Sequence, residues 1–161
     1  MIVVLDASTL INLANGEVFA TVISLPDHTF QVSAVVLRES RTVARAIRAA
    51  VKRGDIELVN DDAIDAGDFE NALADWGLGP GETECILAAK VSGSSVACDD
   101  GAARLVIERE IGAERRTGTV GLLREAITAG LITPEAAFEA YKQMKSRGGY
   151  LPRLALFDFQ Y

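Results

Sequence analysis

Two aspartates of this sequence stand directly after short apolar runs that are typical of buried strands. Asp6 follows residues 2–5, and Asp99 follows residues 94–98. Open α/β sheets bind ligands at the carboxyl ends of their strands, so both side chains are candidates for a binding or catalytic site. For Asp6 taken alone, capping of the helix predicted after it is an equally good interpretation.

Asp100 adds a third carboxylate to the same edge of the predicted sheet. Adjacent carboxylates at a strand end repel each other unless a cation compensates their charge. Asp100 also begins the next predicted helix, where it can simply cap the backbone. The pair Asp99–Asp100 therefore favours a cation site, and one or both residues can belong to it.

Glu39 lies in a stretch, residues 33–52, whose pattern predicts one continuous helix. On that helix Glu39 falls on the side of the valines and alanines, opposite to the arginine-rich side. A carboxylate on an apolar face is costly unless it is paired or bound to a metal. Glu39 is therefore another candidate, with an internal ion pair to Arg38 or Arg53 as the alternative.

The helix predicted after Pro80 carries two glutamates that cannot both point inward. Glu82 and Glu84 are about 200° apart on a helix that advances about 100° per residue. Apolar and small residues flank Glu84, so Glu84 is favoured for chemistry. Glu82 falls in the first turn, where the helix dipole stabilises a negative charge, and it can still supply an outer contact.

Strand-end aspartates combined with helix glutamates predict a magnesium or manganese site, because these ions prefer oxygen ligands and zinc prefers Cys and His. The chain has a single histidine, His28, in a turn-like stretch. Nucleases built on paired histidines and His-Glu-x-x-His proteases are therefore excluded. Cys85 and Cys98 lack the spacing of a metal or disulfide motif.

The formal net charge of −7 argues against a protein that coats nucleic acid through bulk electrostatics. It does not exclude an acidic site that is loaded with metal and meets a single phosphodiester. The substrate class must therefore be argued from the site and not from the overall charge.

The elements that must position these residues alternate between strands and helices along the 161 residues. The alternation predicts a single-domain α/β fold with three layers, α/β/α, and a parallel sheet of about four to five strands. Residues 131–161 are expected to form a C-terminal helical extension. Its apolar tail, residues 151–161, is expected to pack on the domain, with contact to a partner as the alternative. With no apolar run near the about 18 residues of a membrane span and no signal peptide, a cytoplasmic protein is expected.

Several motifs, in this order, resemble those of PIN-domain ribonucleases, and more narrowly the VapC-like toxins of bacterial and archaeal toxin–antitoxin systems. The motifs are residues 6–11, Glu39 on the second helix, residues 81–89 and residues 98–104. Residues 116–123 are similar to a segment common in one branch of these toxins. The resemblance covers nearly the whole chain and implies a PIN-like fold.

The resemblance implies a metal-dependent endoribonuclease whose acids are Asp6, Glu39, Glu84 and Asp99. Asp6, Glu84 and Asp99, with or without Asp100, would hold one or two Mg²⁺ or Mn²⁺ ions, and Glu39 would orient a water or a second ion. The family usually has an aspartate at the third position, so the longer Glu84 leaves the choice between it and Glu82 open. An RNA substrate, a small antitoxin protein as partner and a homodimer are also implied.

Supporting roles are expected from hydroxyl and basic side chains. Ser8 is placed to hydrogen-bond Asp6 or a water on the metal, with a simple turn as the alternative. Thr117 and Thr119 precede a helix whose first N–H groups can bind a phosphate, and capping of that helix is the alternative. Positive charge for RNA is sought in four arginines, for which a solvated helix face is the alternative: Arg104, Arg115, Arg116 and Arg124.

Two other functions compete with a ribonuclease. A haloacid-dehalogenase-like phosphatase also places an aspartate after its first strand, but its second aspartate corresponds to Ser8 here. The third hypothesis is a non-catalytic PIN scaffold that binds RNA or protein, against which the full set of acids argues. Cleavage of RNA that depends on metal and on Asp6 distinguishes the ribonuclease from both.

Overall fold

The computed structural model describes residues 1–160, and its centre is a five-stranded, all-parallel sheet. The strands are β1 (Ile2–Leu5), β2 (Thr29–Val32), β3 (Ile56–Leu58), β4 (Ser95–Ala97) and β5 (Arg116–Thr117). They are arranged in the order β3-β2-β1-β4-β5, so β1 is the central strand. Val3, Val4 and Leu5 are fully buried, as expected for a strand covered by helices on both faces.

Helices pack around this sheet in two groups. The described part of the chain contains nine: α1 (Ala7–Asn15), α2 (Phe19–Ile23), α3 (Ala34–Glu39), α4 (Ala44–Arg53), α5 (Ala66–Trp76), α6 (Pro80–Ser92), α7 (Gly101–Ile111), α8 (Thr119–Thr128) and α9 (Pro134–Ser146). Helices α1, α2, α8 and α9 contact one another, and α6 contacts α3, α5 and α7. The predicted α/β fold with a parallel sheet is confirmed.

The prediction of one continuous helix over residues 33–52 is wrong, because the structure has two helices there. Helix α3 ends at Glu39, Ser40 leaves the helical conformation (φ −84°, ψ 46°), and α4 begins only at Ala44. No glycine or proline marks the break, so the pattern gave no sign of it. The apolar face predicted for Glu39 relied on residues of α4, whose positions around the helix axis are not continuous with those of α3. Glu39 is exposed and does not lie on an apolar face.

The C-terminal residues fold onto the sheet and helices of the domain. Helix α9 packs on α1 and α8, and Leu151 and Phe159 are buried in the core. Tyr161, which belongs to the tail defined from the sequence, lies outside the described residues. None of the helices within residues 1–160 combines the length and the apolar character needed to cross a bilayer.

Three loops at the carboxyl ends of the central strands bring the candidate residues together. Asp6 follows β1, Ser33 follows β2, and Cys98 and Asp99 follow β4. Since these strands are neighbours and run parallel, their ends share one edge of the sheet. The site is built at this edge.

Candidate active site

Asp6 connects the central strand to α1 and is almost fully buried, with 2% of its surface exposed. Its Oδ2 atom accepts hydrogen bonds from the Ser8 hydroxyl (2.7 Å) and the Ser8 N–H (3.3 Å). It therefore caps α1, as one interpretation of the sequence expected. Its Oδ1 atom is buried without a hydrogen-bond partner in the described structure. A buried carboxylate oxygen without a partner is costly, so capping alone does not account for Asp6.

Glu82 is the glutamate of α6 that faces Asp6. One ligand atom each from Asp6, Glu82 and Cys98 lie within 4.8 Å of one another. The Oε2 atom of Glu82 also accepts the N–H of Gly79 (3.0 Å), the residue that precedes α6. Burial raises the pKa of Glu82, and the negative charges of Asp6, Asp100 and Glu39 raise it further.

Glu84, the glutamate favoured from the sequence, is not among the ligand atoms that lie together around Asp6. Glu84 is buried near Ser33 and Val35 at the start of α3, and its Oε2 atom has no hydrogen-bond partner among the described residues. Burial raises the pKa of Glu84, and Asp61 adds to the effect. The helical projection correctly separated the two glutamates: Glu82 lies beside Asp6 at the end of β1, and Glu84 lies beside Ser33 at the end of β2.

Glu39 reaches the cluster from the end of α3. Its Oε1 atom accepts the N–H of Gly81 (3.3 Å) in the first turn of α6. A Cβ atom on Gly81 would collide with the Glu39 carboxylate, so the glycine permits this close approach. Within the described residues Glu39 forms no ion pair, and the alternative of a bridge to Arg38 or Arg53 is not realised.

Asp99 and Asp100 have different surroundings. The Oδ2 atom of Asp99 accepts from Asn12 (2.8 Å), Thr9 (3.5 Å) and the Thr119 hydroxyl, and Oδ1 accepts the Thr119 N–H (2.9 Å). Asp100 is exposed and caps α7 through the N–H of Ala103 (2.9 Å), and its charge raises the pKa of Glu82. Asp6 and Glu82 lie together, and the charges of Glu39 and Asp100 act on Glu82; we call these four carboxylates the acidic pocket.

Cys98 is a member of this site that the sequence analysis set aside. Its thiol donates to Asp6 Oδ2 (3.3 Å), and burial, followed by the charge of Asp6, raises the pKa of Cys98. The sulfur therefore keeps its proton and acts as a donor to the carboxylate. Its position directly before Asp99 in the sequence was the available signal.

Ser8 joins the ends of the two central strands. Its hydroxyl donates to Asp6 and accepts the N–H of Asp99 (3.1 Å), so it holds both loops in register. This geometry agrees with the expected hydrogen bond from Ser8 to Asp6.

The acidic pocket fits a divalent cation that prefers oxygen. It offers the unpartnered Asp6 Oδ1 and the carboxylate of Glu82, whose mutual repulsion a cation would relieve. The described residues place no histidine among these ligand atoms, and Cys98 is protonated. Such a donor set suits Mg²⁺ or Mn²⁺ better than zinc.

Comparison with known protein families finds a PIN-domain model that matches residues 2–156. The chain belongs to the PIN-domain family. PIN domains are generally nucleases and typically use a divalent metal, in keeping with the acidic pocket. No curated protein and no solved structure matches the chain significantly.

Beside the acidic pocket this PIN domain has a groove of about 930 Å³ between α7, α8 and the C-terminal segment. Five basic side chains line it against one acidic side chain, Asp99, although acids outnumber bases 23 to 16 in the whole chain. We call it the basic groove, and its basic residues are Arg104, Arg116, Arg124, Lys145 and Arg153.

Three of the four arginines expected to meet RNA therefore line the groove, and the fourth does not. Arg115 points into the protein and donates to the backbone carbonyls of Ser94 (2.9 Å) and Ala89. Arg104 donates to the carbonyl of Cys98 (2.9 Å), which places it next to Asp99. Arg116 pairs with Glu108 (2.8 Å) at the other end of the groove.

The two threonines near α8 have structural partners in this PIN domain. Thr119 is buried, and both its N–H and its hydroxyl bind Asp99, so the start of α8 holds a carboxylate and not a phosphate. Thr117 lines the basic groove, and its hydroxyl lies where a Cβ atom on Gly121 would be. Of the N–H groups expected to bind a phosphate, that of Thr119 is already bonded to Asp99.

Proposed function

We propose that this chain is an endoribonuclease that depends on Mg²⁺ or Mn²⁺ and hydrolyses RNA phosphodiester bonds. The observation that carries the proposal is the buried Oδ1 atom of Asp6, which lacks a hydrogen-bond partner among the described residues and lies beside Glu82. The neighbouring basic groove supports a phosphodiester substrate, and membership of the PIN-domain family supports nuclease chemistry.

In this proposal Asp6 and Glu82 bind the cation, and Asp100 and Glu39 add negative charge around it. When bound, the ion supplies a Lewis acid for the phosphate and activates a water. Arg104, at the junction of the basic groove and Asp99, is placed to bind a phosphate oxygen of the strand. Glu39 lies at the exposed side of the pocket, where it can accept a proton from water at its carboxylate.

The remaining residues position the ligands. Ser8 and Cys98 both donate to Asp6 Oδ2, so they leave Oδ1 as the atom directed to a cation. Asp99 is assigned a positioning role through its bonds to Asn12 and Thr119, which fix the loop after β4. Hydrogen-bonding partners of this kind typically change metal affinity or activity about 10- to 100-fold when they are lost.

The test of the proposal is cleavage of RNA by the purified chain. We expect cleavage with Mg²⁺ or Mn²⁺, and we expect a chelator or the substitution Asp6→Asn to abolish it. Binding of Mn²⁺, followed by its electron paramagnetic resonance signal, should weaken in the same variant. Cleavage that survives Asp6→Asn would contradict the proposal, because the unpartnered oxygen of Asp6 beside Glu82 is the atom assigned to the cation.

We further propose that the chain is the toxin of a toxin–antitoxin pair, acting in the cytoplasm as a homodimer. The resemblance of its motifs to VapC-like toxins supports this role. Expression of the chain should arrest growth, and co-expression of a small protein encoded directly upstream should relieve the arrest. Growth arrest that persists in Asp6→Asn would separate toxicity from RNA cleavage and contradict the proposed role.

A further inference from the structure

The C-terminal segment, residues 145–154, forms one wall of the basic groove. It supplies two of the five cations, Lys145 and Arg153, and an aromatic side chain, Tyr150. Tyr150 is 91% exposed, more than any other large hydrophobic side chain in residues 1–160. A ring in this position contributes almost nothing to the core, so its presence requires another explanation.

The backbone on both sides of Tyr150 is fixed. The N–H of Gly149 donates to the carbonyl of Met144 (2.9 Å), and a Cβ atom on Gly149 would lie 2.5 Å from Asn12 Oδ1. Leu151 is buried, and its carbonyl accepts from the Lys145 ammonium (3.1 Å). The exposed ring is therefore carried by an anchored segment and not by a loose end.

Tyr150 also stands where two grooves meet. It lines the basic groove and a narrower groove of about 270 Å³, and Asp99 lines both. The narrower groove includes Asp100, which belongs to the acidic pocket, and Ser8, which holds Asp6. A strand that crosses from the basic groove to the acidic pocket passes the Tyr150 ring.

We propose that Tyr150 is a substrate-binding residue that stacks on a base of the RNA strand, and that Lys145 and Arg153 bind the phosphates beside it. This inference rests on the proposed function and adds the C-terminal residues that hold the strand beside the acidic pocket. An aromatic ring beside a basic track is how proteins hold single strands, because every base has a face to stack and a duplex hides it. Base pairing would keep the base away from Tyr150.

Two of the five basic side chains of the groove, Arg104 and Arg153, form no ion pair within residues 1–160. Arg153 is exposed, whereas Arg104 is half-buried. A guanidinium has five donors, so the bonds that Arg104 Nη1 makes to backbone carbonyls leave further donors on the group. When basic side chains neutralise phosphates, the affinity falls as the salt concentration rises.

The experiment measures binding of the full chain in a chelator, so that no RNA is consumed. The probes are a fluorescent RNA strand of about 12 nucleotides, the same strand annealed to its complement, and a base-free phosphodiester strand of equal length. We expect the single strand to bind tightest. Tyr150→Ala should weaken that binding roughly 5- to 100-fold, and Tyr150→Phe should keep it.

The base-free strand isolates stacking from charge. Its affinity should not change in Tyr150→Ala, but it should fall in Arg153→Ala. The matched control is Phe157→Ala, because Phe157 is an exposed aromatic of the same C-terminal region that lines neither groove. This control should bind all three probes like the unmodified chain.

Three results would overturn the inference: equal affinity for duplex and single strand, no effect of Tyr150→Ala on the single strand, or displacement of RNA by an acidic peptide whose binding depends equally on Tyr150. The last result would make the groove a protein-binding surface. Failure of the proposed function is distinguishable, because a chain that never cleaves RNA with metal but binds single strands through Tyr150 upholds the inference and contradicts only the catalysis.

Discussion

The acidic pocket and the basic groove lie side by side, and they differ in charge. In the proposed function the pocket binds the cation and the groove binds the RNA strand. The pocket gathers Asp6, Glu39, Glu82 and Asp100, which without a cation repel one another, whereas the groove gathers five basic side chains around one carboxylate. A chain with a net charge of −7 thus has a strongly positive surface in one place. We therefore expect that substitutions in the groove change the affinity for RNA and that substitutions in the pocket change the rate of cleavage.

The largest expected effect comes from removing one charge of the pocket. Glu82→Gln should lower the rate of RNA cleavage on the order of 100-fold or more, because it removes a proposed metal ligand. RNA binding in a chelator should not weaken, since the groove is intact. Single-turnover cleavage and fluorescence anisotropy measure the two quantities.

Glu84→Gln is the matched control, since it makes the same change two residues away on the same helix. Glu84 faces Ser33 and Val35, so cleavage should stay within about 3-fold of the unmodified chain. The reverse outcome, loss of cleavage in Glu84→Gln alone, would show that α6 presents its other face to the substrate.

The second effect should come from the boundary between the two regions. A Cβ atom on Gly118 would lie 2.6 Å from Asp99 Oδ1 and 3.0 Å from Arg104 Nη1. Gly118→Ala should therefore cost about 1–3 kcal/mol of stability and impair both cleavage and binding. Chemical denaturation and the two activity assays test this expectation.

Gly101→Ala serves as its control, because a Cβ atom on Gly101, in the first turn of α7, would have no neighbour within 4 Å. Its free energy of unfolding should be unchanged or slightly higher. Equal destabilisation by the two substitutions would mean that the contact with Asp99 is not the cause.

A smaller effect is expected from a single cation of the groove. Arg153→Ala should weaken RNA binding a few-fold and lower the slope of log affinity against log salt concentration by about one, since one phosphate contact is lost. In steady state the change should appear in KM and not in kcat. Arg48→Ala on the exposed side of α4 should leave the slope unchanged.

The smallest effect concerns stability without metal. Burial and neighbouring carboxylates raise the pKa of Glu82, so its ionised form destabilises the folded state at neutral pH. Glu82→Gln should then raise Tm in a chelator on the order of 1–3 °C at pH 7. The gain should vanish as the pH falls below the ordinary range of glutamate, where Glu82 is protonated in both states, and Mg²⁺ should reverse it.

The sequence predicted the fold well because its signals were local and strong. The apolar runs, glycine stops and the Thr133–Pro134 helix start all have counterparts in the structure. The position of Asp6 at the end of β1 followed from such a run. The break at Ser40 carried no local signal, and it moved Glu39 from an expected apolar face to the solvent.

The composition of the site depended on tertiary packing, which the sequence does not report directly. Whether Glu82 or Glu84 meets Asp6 depends on which face of α6 packs under α3, and both faces are rich in small residues. The burial of Thr119 against Asp99 depends on two segments 20 residues apart. The role of Lys145, Tyr150 and Arg153 arises only when the C-terminal segment folds back beside α8.

Besides the buried side chains of Leu151 and Phe159, hydrogen bonds from three side chains to backbone carbonyls anchor the C-terminal residues. Lys145 holds the carbonyl of Leu151, Tyr141 holds that of Pro152, and Arg124 holds that of Asp158. Every residue type has such a carbonyl, so the exposed side chains at positions 150 and 153 can be exchanged without releasing the segment. The segment is thus attached through backbone atoms, and its exposed side chains can change while the scaffold and the acidic pocket stay the same.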